Sequence, residues 1–222
     1  MKDYTIFDII GPIMIGPSSS HTAGTCRIGY SARKIVKEKI KKVEFVLFES
    51  FAKTYKGHGT DIALLGGILG MKPDDENIVK SFTKAKEYGI DYKFTPVDDE
   101  ANHPNTVLMI IETVSGIIWN IVGQSLGGGR MMITKINDID VEFSGEYHTL
   151  ITHHNDSPGI LMGITTILSN HKINIAFMKL FREQKGMEAI GVFEADEEID
   201  KGVIDELKLL KGIKLVNVID KI

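Results

Sequence analysis

From His148 onward the sequence alternates in a way that admits few folds. "HTLITHHN" (148–155) reads as a strand and "ILMGITTILSNH" (160–171) as a helix, while "INIAFMKLFRE" (173–183) and "MEAIGVFEAD" (187–196) read as two further strands. "DKGVIDELKLL" (200–210) follows as a second helix and "IKLVNVID" (213–220) as a last strand. In the first helix Ile160, Leu161, Ile164, Ile167 and Leu168 share one stripe at the helical period; Val203, Leu207 and Leu210 repeat it more weakly in the second. The turn "QKGM" places Gly186 where a hairpin needs a permissive residue, so the two middle strands are expected to be neighbours. This β-α-β-β-α-β order predicts a split βαβ, ferredoxin-like domain over residues 146–222.

Residues 1–145 are less regular. The pattern predicts helices over 22–40, 60–69 and 75–89, the second capped by Thr60 or Asp61 and the third ended by Gly89. It predicts strands at "VEFVLFES" (43–50), "YKFTPV", "TVLMIIET" and "GIIWNIVG", then "RMMITKINDIDVEF" after a glycine loop. The fold class is therefore α/β (α+β), with the domain boundary near Ser144 to Glu146.

The formal charge of -4 is spread over both parts, with 17 basic against 18 acidic residues in 1–145 and 9 against 12 in 146–222. Neither part is built to hold a polyanion. The long uncharged stretches, Ile9 to Cys26 and Thr113 to Gly129, are interrupted by Pro, Ser, Gly, Asn and Gln and do not read as membrane spans. Asp3 and Asp8 precede the run "IIGPIMI", which is unlike a secretory leader. The lone Cys26 fits a reducing, cytoplasmic setting and rules out a thiolate metal or iron-sulfur site made from this sequence alone.

Three short segments concentrate the chemistry. In "GPSSSHTAG" the hydroxyls of Ser18, Ser19, Ser20 and Thr22 flank His21 at a predicted helix start, where backbone N–H groups lack partners. One cap uses one or two hydroxyls; four can converge on a small anion such as a carboxylate. No Gly-Lys-Ser/Thr follows, so it is not a phosphate loop, and Gly-x-Ser-x-Gly is missing too. "YKGHGTD" sets His58 between Gly57 and Gly59, just before Thr60. "ANHPNT" holds His103 beside Pro104 and Asn105. Each alone is an ordinary turn. Together the three imidazoles can serve acid-base chemistry near neutral pH or an open zinc site, although no tight ligand spacing is present. "SLGGGR" (125–130) reads as a structural loop near the site, and "HNDSPGIL" (154–161) as a helix start that a ligand can approach.

These motifs, in this order, resemble the beta chain of the iron-sulfur-dependent L-serine dehydratases: "GPSSSHTAG", "KGHGTD", "HPN" and "SLGGGR", then a segment similar to an ACT domain through "DSPGIL". Related domains occur as allosteric substrate-binding segments of some phosphoglycerate dehydrogenases. The resemblance implies a mixed-sheet serine dehydratase beta domain over 1–145 followed by an ACT domain over 146–222. It implies deamination of L-serine to pyruvate and ammonia in an oligomer, with a 4Fe-4S cluster carried by a separate alpha subunit. On that pattern His21, His58 or His103 handles the proton, while Ser18, Ser19, Ser20, Thr22, Thr60 and Asn105 position substrate. Asn155, Pro158 and Gly159 would receive a regulatory amino acid, with serine the expected effector, and no metal is expected on this chain itself. The rival is a serine-sensing regulatory protein without chemistry; a zinc enzyme built on the three histidines is third.

Overall fold

In the computed structural model the described residues are 12–137, 139–182 and 184–221. The stretch before Pro12, on which the leader argument partly rests, lies outside them. Two compact units result, one running to Asn137 and one beginning at Asp138.

In the first unit, alternating apolar residues build the sheet. Strand β1 (Ile40–Leu47) buries Val43, Phe45 and Leu47 and exposes Lys41 and Lys42. It pairs in parallel with β2 (Asp91–Pro96) and antiparallel with β3 (Thr106–Thr113). Strands β4 (Ile118–Gly127) and β5 (Arg130–Ile136) continue the antiparallel run, so the order is β2-β1-β3-β4-β5 in a mixed sheet.

The helices of this unit are α1 (Thr25–Ile35), α2 (Glu49–Thr54), α3 (Thr60–Ile68) and α4 (Ser81–Glu87). Helices α1 and α3 pack closely enough to exclude side chains at their crossing. A Cβ on Gly29 would lie 2.3 Å from the Leu64 carbonyl oxygen, and one on Gly67 would lie 2.2 Å from that of Cys26. A Cβ on Gly123 would lie 2.4 Å from Ile28, which sets α1 against β4.

Several expectations change here. The helix expected over 22–40 is a π-helical turn (Ser19–Gly24) leading into the shorter α1. The strand expected over 43–50 stops at Leu47 and gives way to α2. Helix α3 is entered through Gly59 in a left-handed conformation, φ 69°, and neither Thr60 nor Asp61 caps it. The helix expected over 75–89 is a 3-10 turn (Glu76–Lys80) followed by α4.

The stretch 130–143, expected as one strand of the first part, is broken, and its second half falls in the second unit; from His148 onward the expected order holds. The second unit holds β6 (Ile139–Phe143), β7 (His148–Asn155), α5 (Ile160–Asn170), β8 (Ile175–Arg182), β9 (Glu188–Ala195), α6 (Lys201–Leu209) and β10 (Ile213–Ile219). Its four-stranded antiparallel sheet runs β10-β7-β9-β8. The helix stripes meet Leu150, Phe193 and Val216 from the sheet in one core with Ile160, Ile164, Ile167, Leu168, Val203 and Leu207. Asp200 caps α6 by accepting the Val203 N–H at 3.0 Å, and Gly186 turns the β8-β9 hairpin at φ 81°. Among the described residues, no helix is long and apolar enough to cross a membrane.

Candidate active site

The serine-rich turn organises itself around one ring. Ser18 caps it by accepting the His21 N–H at 3.2 Å, and its hydroxyl lies 3.3 Å from that of Ser20. Ser20 Oγ in turn lies 3.0 Å from His21 Nδ1. Ser19 is half-buried in the same turn. Ser125, at the end of β4, donates its hydroxyl to the Ser20 carbonyl at 2.7 Å. That approach needs Gly24, since a Cβ there would lie 2.1 Å from Ser125 Oγ. Thr25 closes the turn by donating to the His21 carbonyl at 2.7 Å.

His21 is only 9% exposed. Its Nε2 lies 3.3 Å from Ser50 Oγ, its ring sits edge-on to Phe51 at 5.2 Å, and the His58 ring stands perpendicular to it at 4.9 Å. Burial, and then the nearby His58, hold the His21 pKa below the usual imidazole value. The ring is therefore neutral near pH 7, with one nitrogen free of a proton.

The other two loops are tied to this turn. His58 is exposed, and its carbonyl accepts the Thr22 hydroxyl at 3.2 Å. Thr60 is fully buried and its hydroxyl has no hydrogen-bond partner among the described residues. Asp61 accepts the Ile62 N–H at 2.8 Å, while burial raises its carboxyl pKa. In the third loop His103 Nδ1 accepts the Asn105 N–H at 3.1 Å, and the Thr106 hydroxyl donates to the His103 carbonyl at 2.5 Å. Asn105 is tied to Ser125 twice, through its carbonyl at 3.0 Å and its side-chain amide at 3.5 Å.

Ser50 connects the third loop to His21, because its N–H donates to the Pro104 carbonyl at 3.0 Å. Just before it, Glu49 adopts φ 40°, a left-handed conformation that costs a non-glycine residue about 1–3 kcal/mol. The Glu49 carboxylate accepts the Ala101 N–H at 2.9 Å, so the corner that carries the strain also anchors the loop. Sequence reasoning misses Glu49, Ser50 and Phe51, which carry neither a motif nor a neighbouring histidine, and finds Ser125 only as part of a glycine loop.

The structure thus brings His21 against His58 and links both to the His103 loop through Ser50 and Ser125. Among the described residues no three His, Cys, Asp or Glu side chains gather to hold a metal, which removes the geometric basis of the zinc reading. An iron-sulfur cluster fits no better. The single cysteine, Cys26, is fully buried and donates to the Met71 carbonyl at 3.3 Å, and burial pushes its thiol up to about 12.

In the second unit Gly159 enters α5 at φ 91°, and the Asn155 N–H donates to the Gly212 carbonyl at 2.9 Å. A cavity of about 670 Å³ is lined by His153, Arg182, Met187 and Glu188 among others; Asn155, Pro158 and Gly159 are not part of its wall.

Comparison with known proteins adds the following. Residues 5–93 match the serine dehydratase beta chain family, and residues 148–210 match the ACT domain family. The L-serine dehydratase beta chain of Peptoniphilus asaccharolyticus is 42% identical over 209 residues, covering 94% of this chain and 92% of the relative. A probable L-serine dehydratase beta chain of Bacillus subtilis is 40% identical over 213 residues, covering 96% of each. The D-3-phosphoglycerate dehydrogenase of Bacillus subtilis is 27% identical over 195 residues, covering 87% of this chain and 37% of the relative.

Proposed function

Because the chain belongs to the L-serine dehydratase beta-chain family, we propose that it is the beta subunit of a two-chain enzyme that converts L-serine to pyruvate and ammonia. The observation that carries this reading is His21: a buried, neutral imidazole with a hydroxyl at each ring nitrogen, at the junction of three polar loops.

The reaction removes the α-proton and releases the β-hydroxyl as water, leaving aminoacrylate. That product tautomerises to an imine, which water hydrolyses to pyruvate and ammonia. A neutral histidine is a competent acceptor for the α-proton at neutral pH. We assign proton handling to His21, with His58 and His103 as the other candidates. Ser18, Ser19, Ser20 and Asn105 offer hydroxyl and amide groups to the substrate carboxylate and ammonium. The Thr22 hydroxyl is spent on the His58 carbonyl, so we assign Thr22 to holding the loops, whereas the buried Thr60 hydroxyl, with no partner among the described residues, stays with the groups that position substrate.

This chain offers no ligand set for a 4Fe-4S cluster, and we place the cluster on the alpha subunit. The working enzyme is then an oligomer of at least these two chains, in the cytoplasm. For the second unit, the ACT family match supports a regulatory role, with an amino acid such as serine received near Asn155, Pro158 and Gly159.

A second reading, a serine-binding protein without turnover, draws on the match to D-3-phosphoglycerate dehydrogenase, a relative with a different named activity. Anaerobic expression with and without an alpha partner, followed by assay of pyruvate from L-serine, separates the two. Turnover only with the partner is the expected result. Serine binding without turnover in both preparations would favour the second reading.

A further inference from the structure

Ser50 belongs to no motif, yet its hydrogen bonds reach both the buried imidazole and the third loop. Its Oγ lies 3.3 Å from His21 Nε2, while its N–H separately donates to the Pro104 carbonyl at 3.0 Å. The chain bends sharply to put it there, since Glu49 is held at φ 40°. Non-glycine residues in that region persist where surrounding structure over-determines them, and such strain clusters at functional sites. We propose that Ser50 is a positioning residue for His21, holding the ring so that it can take up and release a proton without losing a hydrogen bond. The inference rests on the proton-handling role assigned to His21 above.

The chemistry of the partner atom explains why a hydroxyl stands here. A backbone carbonyl only accepts and would fix a proton on Nε2; a backbone N–H only donates and would keep Nε2 bare. A hydroxyl does either. With Ser20 at Nδ1 and Ser50 at Nε2, the neutral ring has an acceptor for its N–H and a donor for its bare nitrogen. When the ring becomes imidazolium, both hydroxyls rotate to accept, and neither ring nitrogen is orphaned in a site that is 9% exposed. The titratable group that bears on this ring is His58.

Removing the hydroxyl alone isolates this role, because Ser50→Ala keeps the backbone bond to Pro104. Hydrogen bonds to a charged group are stronger than neutral ones, so the loss penalises the imidazolium more than the neutral ring. In the assembled two-chain enzyme, Ser50→Ala is expected to lower kcat about tenfold with KM for serine little changed. Ser50→Thr, which restores the hydroxyl, is expected to recover most of that loss. Titration of His21 by NMR in the full chain is expected to place its midpoint lower in Ser50→Ala than in the wild type.

An unmoved His21 midpoint, or equal loss of kcat in the Ala and Thr variants with both still folded, would overturn the positioning role. A wild-type assembly that fails to turn over serine would instead count against the dehydratase reading. The NMR titration still decides the hydrogen-bond role in that case.

Discussion

His21 in the first unit has a hydroxyl at each ring nitrogen, whereas His171 in the second meets the Glu206 carboxylate at 2.9 Å and His153 meets that of Glu188. A carboxylate can only accept, so it pins an N–H on the nitrogen that faces it. The pairs of the second unit therefore fasten surface strands and helices. The hydroxyl-flanked ring of the first leaves its proton free to move. On the role proposed for His21, the same residue type is a structural tie in one unit and a chemical group in the other, and the partner atoms distinguish the two.

The largest test of that contrast is catalytic. His21→Gln in the assembled enzyme is expected to lower kcat by about 10²–10⁴-fold, the range for loss of a general base. His171→Gln is expected to leave kcat unchanged. If saturating-serine rates fall equally in both variants, the contrast fails; if His21→Gln is harmless, proton handling passes to His58 or His103.

A second difference lies in how the units pack their helices. Gly67 faces backbone, where an added Cβ would lie 2.2 Å from the Cys26 carbonyl oxygen, whereas one on Gly163 would meet the Leu210 side chain at 3.2 Å. Backbone cannot yield as a leucine can. Gly67→Ala is expected to destabilise by about 1–3 kcal/mol in denaturant unfolding. Gly163→Ala is expected to be close to neutral, since the helix gains roughly 0.5–1 kcal/mol from replacing glycine.

The smallest effect is on acid stability. The folded-state pKa of His21 lies below its unfolded value, because burial and His58 disfavour the charged ring. As pH falls, the unfolded chain takes up that proton first, so the stability is full above about pH 6.5 and is lost on descent through the folded value. Urea midpoints measured between about pH 7.5 and 5.5 should fall in the wild type and fall less in His21→Gln.

The same contrast governs what the sequence discloses. The stripe of Ile160, Ile164, Ile167 and Leu168 is legible because each contact lies within a turn or two of helix and a facing strand. The β8-β9 hairpin is legible through Gly186. In the first unit the decisive partners are distant: Ser50 reaches His21 from 29 residues away, and Ser125 reaches Ser20 from 105. No local period announces such pairs. The six-residue helix Glu49–Thr54 hides for another reason, since its left-handed entry falls on Glu49 rather than on a glycine or asparagine. The histidines could be picked out by type and turn context, whereas the hydroxyls and the aromatic edge around them became visible only in the fold.

Cys26 also has a practical consequence. Its thiol is sealed in the core with a pKa of about 12, so at neutral pH it offers almost no thiolate for alkylation or oxidation. This is the chain's single sulfhydryl. Maleimide added to the folded chain should therefore leave it dark and label it only once denaturant opens the core, so that labelling reports unfolding of this chain directly.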